Sequence, residues 1–175
     1  MRYAGTRRKR RGWLGAQSGP EAFSVKLSPQ LARVQARMQP GALSLRGFLG
    51  ADTRNLADIL EADAREVARL GLTHAEIADR LQELMRCGRE ALGAEVVCLA
   101  DFAVRHHDAR GQVPCPWGHP GSYEKGDVHL RRVSTGEEIV FSQLEVHLIR
   151  EHGFYQGWGS PYRLEPAALK RILGL

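Results

Sequence analysis

A chain of 175 residues is long enough to bury one substantial core, and its composition, 43% hydrophobic and 26% charged, is that of an ordinary globular protein. No stretch approaches the ~20 consecutive apolar residues that span a bilayer, and no apolar segment follows the basic N-terminus as a secretory signal requires, so the expectation is a cytoplasmic chain with no membrane partner. The net charge of +5 is uneven: residues 1–12 hold Arg2, Arg7, Arg8, Lys9, Arg10 and Arg11 and no acid, and removing these six from the 25 basic residues leaves 19 against 20 acids.

In chain order, residues 1–27 read as a basic disordered tail, with Gly, Ser and Pro following the charge run. Arg7, Arg8, Lys9, Arg10 and Arg11 are candidate phosphate contacts for a nucleic-acid partner through counterion release; the plainer reading is a solvated extension. The near-neutral remainder argues against a broad nucleic-acid-binding face. Residues 28–94 read as a helical region. Ser28-Pro29 starts a helix over Leu31–Met38, Asp52 or Thr53 caps a helix running to about Leu70, and Gly71 stops it. Thr73-His74-Ala75-Glu76 is a capping box for a helix to about Leu92, with Ile77, Leu81, Leu84 and Met85 inward and Gly88 a weak spot. The segment 71–81 resembles the first helix of a helix-turn-helix, but no turn follows Leu81. Asp52, Asp58, Glu61 and Asp63 read as a solvated acidic face.

Residues 95–175 read as an α+β region continuous with the helices in one compact domain. The β-forming run Glu95–His107 predicts one strand, and Asp127–Val133 with Glu138–Phe141 predicts a hairpin. Ser142-Gln143-Leu144-Glu145 is a second capping box; its helix ends at His152 with Gly153 as a left-handed stop and Phe154 packing back. Pro166 opens a last helix. The fold class is therefore α+β: a helical N-terminal half, then a small antiparallel β region. Tyr155, Trp158 and Tyr162 fit either a pocket or interface lining or a loop packed down by its aromatics, and Arg163 is a candidate anion contact. Three cysteines do not make a disulfide framework, and Cys87 and Cys98 read as small buried residues in a reducing setting.

The residues that point to a chemistry are Cys115 and His119, on a turn rich in Pro and Gly, and His147 and His152, on the capped helix. Cys and His in this pattern suit a tetrahedral zinc ion. His147 and His152 lie about 140° apart on a regular helix, so their convergence is expected to need an altered last turn. His129, or one of His106 and His107, is an alternative ligand; adjacent strand residues point to opposite faces, so that pair offers one at most. Without a metal, Cys115 is a small buried residue and His152 a cation favoured by the helix C-terminus. Glu145 and Glu151 flank the histidines as potential bases but lack the His-Glu-x-x-His spacing of a metalloprotease.

The order turn, hairpin, helix, with Leu144, His147 and His152 in register, resembles a two-Cys two-His zinc finger. It departs from one in having His119 for the second Cys and 27 residues between His119 and His147. The segments 50–56, 115–121 (Cys-Pro-Trp-Gly-His-Pro-Gly) and 147–154 (His-Leu-Ile-Arg-Glu-His-Gly-Phe) also resemble a family of small bacterial proteins. That resemblance implies a bacterial, cytoplasmic chain and no particular activity. The functional expectation is a zinc-stabilised binding or interaction module with structural zinc. A zinc-dependent hydrolase and a nucleic-acid-binding protein acting through the basic tail are the alternatives.

Overall fold

Helices come first along the chain and an antiparallel β region follows, an α+β fold. The computed structural model describes residues 26–175; Arg7, Arg8, Lys9, Arg10 and Arg11, with the rest of the basic tail, lie outside the described residues. Helix α1 (Pro29–Arg37) begins where Pro29 presets the first turn and the Ser28 hydroxyl accepts the Leu31 N–H. Helix α2 (Leu56–Arg69) begins later than Asp52 or Thr53 would place it. Asp52 is engaged elsewhere, accepting from the Arg54 backbone and guanidinium and from the Trp158 N–H. Asn55 caps instead, its side-chain oxygen taking the Asp58 N–H at 2.9 Å. Helix α3 (His74–Glu90) carries both halves of the predicted capping box. It runs through Leu81 without a turn, so the helix-turn-helix resemblance has no second helix.

The single strand expected over Glu95–His107 is a hairpin: β1 (Val96–Cys98) and β2 (Phe102–His107), paired Cys98 to Phe102. Leu99 and Ala100 make the turn with φ of 48° and 64°, an unusual conformation for residues other than Gly. Asp101 fixes it by accepting from Arg132 and from the Ser134 N–H and hydroxyl. Two further strands, β3 (Gln112–Pro114) and β4 (Ser122–Glu124), form a separate small hairpin. β5 (Asp127–Arg132) and β6 (Glu138–Ser142) form the predicted hairpin and complete a four-stranded sheet ordered β1-β2-β5-β6. Helix α4 (Gln143–His152) follows at once, and α5 (Pro166–Leu173) closes the chain.

Two apolar clusters fill the interior. In one, α3 and α5 cover the inner face of the sheet at Val104, Val128, Leu130 and Phe141. In the other, α1 and α2 close over Phe48, Leu49 and Cys115. α4 serves both, giving Val146 and Ile149 to the first and Leu144 and Leu148 to the second. Cys87 and Cys98 are joined in a disulfide that ties the end of α3 to β1. The expectation of two separate thiols is corrected, and the inference of a reducing setting loses that premise. The solvated acidic face is corrected at two of its residues: Asp63 is 3% exposed and pairs with Arg163 at 2.6 Å, and the Asp52 side chain is buried against Arg54, while Glu61 is exposed. Among the described residues, no helix is long and apolar enough to cross a membrane.

Candidate metal centre

The β3–β4 hairpin projects a turn, residues 115–121, from its tip, with Pro114 paired to Ser122 at the base. The Gly118 N–H closes the turn onto the Cys115 carbonyl at 2.9 Å. Gly118 takes φ of 83°, and a Cβ there would meet the Arg37 guanidinium at 2.1 Å. The N–H groups of Trp117 and Gly118 point at the Cys115 sulfur and oppose the burial that pushes its thiol up. Helix α4 brings the other pair of ligands. Ser142 and Glu145 form its capping box, and Gly153 (φ 60°) ends it, with Phe154 N–H returning to the Leu148 carbonyl. The helix stays α-helical through His152, so the altered last turn expected from the 140° offset is not needed. The side chains converge because the 115–121 turn sits between them.

The ligand atoms of Cys115, His119, His147 and His152 all lie within 4.8 Å of one another, an arrangement that could hold a metal ion. Cys115 Sγ is 3.6 Å from His119 Nε2 and 3.4 Å from His152 Nε2, and the two Nε2 atoms are 2.8 Å apart. His147 Nε2 is buried with no hydrogen-bond partner among the described residues, a condition that costs about 1–3 kcal/mol in a protein interior. Burial, followed by the neighbouring His119, holds His147 below its usual value; burial with His119 and His147 pushes His152 down to about 4. Both rings are thus neutral near pH 7 and present the lone pairs that a cation requires. Two aromatic residues clamp the helix histidines. Trp117 stacks on His152 with centroids 3.9 Å apart, and Tyr123 stacks on His147 at 4.4 Å. Sequence reasoning missed both; their signal was an aromatic inside the ligand-bearing turn and another just beyond it.

The alternative ligands lie apart from this cluster. His107 and His129 contact each other edge-on across the outer face of the sheet. His106 is buried, its Nε2 accepting from Arg89 at 3.2 Å while Nδ1 faces Asp108. The two candidate bases differ in their surroundings. Glu145 is buried and accepts from the Ser142 N–H at 2.8 Å and the Gln156 amide at 2.6 Å. Glu151 is exposed. Tyr155 is buried and hydrogen-bonds His74 at 2.8 Å. Trp158 is exposed under the Arg54 guanidinium, and Tyr162 donates to Asp127. Arg163, the candidate anion contact, is taken up by Asp63 and Glu165.

The finger resemblance changes form in three dimensions. The ligand-bearing hairpin is β3–β4, and the 27 residues between His119 and His147 are filled by β4 together with the β5–β6 hairpin of the main sheet. Comparison of the chain with protein-family models, with curated proteins and with solved structures gave no match in any of the three.

Proposed function

We propose that Cys115, His119, His147 and His152 hold one structural zinc ion and that the chain is a zinc-stabilised binding or interaction module. The spacing of the donors carries this reading. A tetrahedral zinc with ordinary bond lengths separates a sulfur from a nitrogen by about 3.6 Å and two nitrogens by about 3.3 Å. The sulfur–nitrogen separations of 3.6 and 3.4 Å lie close to the first value, and the 2.8 Å between His119 Nε2 and His152 Nε2 is about 0.5 Å shorter than the second, a gap a bound ion would widen. The lone buried nitrogen of His147 supports it further, since a fourth bond to the ion would satisfy that atom. Four protein donors complete a tetrahedron and leave no position for an activated water, which favours a structural role over a hydrolase. Burial raises the Cys115 thiol, so zinc would have to displace its proton on binding.

Elemental analysis of the purified protein tests the proposal directly. About one zinc per chain is expected, and Cys115→Ser should bring it close to zero. The cobalt-substituted protein should show the intense visible absorption of a tetrahedral site with one thiolate. Metal-free protein that melts at the same temperature as the native protein would overturn the structural role.

A further inference from the structure

Residues 43–48, the β3–β4 hairpin and the start of α4 enclose a cavity of about 320 Å3, near the lower end of the range for small-molecule sites. Leu43, Phe48, Val113 and Leu144 make its apolar walls. Two carboxyl groups lie at its inner end. Glu145 is 5% exposed with its oxygens facing Ser142 and Gln156. Asp127 accepts the Tyr162 hydroxyl on both oxygens at 3.1 Å, and a carboxylate retains further lone pairs after such a contact. Arg46 and Lys125 line the same cavity from its exposed rim, and neither side chain pairs with a carboxylate among the described residues.

The chamber holds buried or half-buried acids within and, at its mouth, two cations that pair with no carboxylate among the described residues; Glu124, also at the mouth, is taken by Arg89. We propose that the chamber binds a small zwitterion with an apolar body, an amino acid or the end of a short peptide. The ammonium sits on Asp127, and the carboxylate lies between Arg46 and Lys125. Charge-assisted hydrogen bonds at both ends orient the ligand, and the apolar walls cover its side chain. The inference rests on the chain being a binding module and not on the identity of its metal.

Isothermal titration calorimetry of the full-length protein tests it, with L-phenylalanine as the probe. Binding is expected, and N-acetyl-L-phenylalanine and L-phenylalaninamide, each lacking one charge, should bind roughly tenfold or more weakly. Asp127→Asn keeps an acceptor for Tyr162 and should weaken L-phenylalanine without affecting the N-acetyl compound; Arg46→Ala should weaken it without affecting the amide. L-phenylalanylglycine separates the two sources: tighter binding than the free amino acid assigns the site to peptides and weaker binding to amino acids, and either supports the proposal. Equal binding of the blocked compounds would overturn it. So would the absence of heat from every probe at millimolar concentration in zinc-loaded, folded protein. That second result leaves the zinc reading standing, whereas zinc-free protein that still binds L-phenylalanine removes the zinc reading alone.

Discussion

His74 sits at the first position of α3, and its Nδ1 lies 2.8 Å from the Tyr155 hydroxyl. Burial holds its pKa below the usual value of about 6.5. A folded pKa below the unfolded one gives stability that is present above the unfolded value and is lost as pH falls toward the folded value. His74→Gln keeps a partner for Tyr155 but cannot charge. The stability advantage of the native protein over this variant, from urea unfolding at a series of pH values, should therefore shrink as pH falls below about 6.5; a constant difference would assign the slope to other groups. Asp63 and Arg163 give a larger effect. Their side chains are 5% and 8% exposed, so Asp63→Ala leaves a buried guanidinium short of its main partner and should cost about 3–5 kcal/mol in denaturant unfolding. At this scale, the sequence announced residue types but not their surroundings. Cys115, His119, His147 and His152 were legible because few other residues offer soft or imidazole donors at close spacing. Asp63 and Glu145 were not, since an acid on a helix reads as solvated until its distant partner, here Arg163 or Gln156, is known.

Elements that announce their own ends were read correctly, and those decided by distant contacts were not. Both capping boxes form because their hydroxyl and carboxylate partners lie three residues apart, within reach of local sequence. The β1–β2 turn was missed because it uses Leu99 and Ala100 where Gly or Asn would have signalled it, and Asp101 secures it through residues 31 and 33 positions away. Gly88 and Gly153 show the same contrast. Gly153→Ala would put a Cβ on a left-handed residue and 2.8 Å from His74 Nε2, so it should destabilise the protein by about 1 kcal/mol or more in thermal unfolding. Helix propensity alone predicts that Gly88→Ala stabilises α3 by about 1 kcal/mol. Its Cβ would instead meet Val104 Cγ1 at 2.7 Å, at the contact between α3 and the sheet. The variant should therefore melt below the native protein, and a higher melting temperature would mean that Val104 can move aside.

Across the whole molecule, α4 is the shared wall of two apolar clusters, and the candidate metal centre joins it to the β3–β4 hairpin. The α+β class was legible from the change of period near residue 95, because helical and alternating patterns each reflect burial on one face. The separate β3–β4 sheet was not: strands of three residues carry too short a pattern, and a two-stranded hairpin of that size is marginal in water. Something outside the hairpin must hold it. Val113 and Tyr123 pack at the edge of the second cluster, Glu124 bonds Gln143 through its N–H and Arg89 through its carboxylate, and the four ligands supply the anchor at the tip. Removing the proposed zinc with a chelator should therefore release this hairpin before the main sheet. In hydrogen exchange, the amides of β3, β4 and the 115–121 turn should exchange more than about tenfold faster, equivalent to about 1.4 kcal/mol of local stability. The amides of Val104 and Leu130, in central strands under α3 and α5, should keep their protection because the first cluster contains none of the four ligands. Equal acceleration at Val104 and Leu130 would mean that the ion supports the fold as one cooperative unit. Unchanged exchange in β3 and β4 would mean that apolar packing alone holds the hairpin against α4.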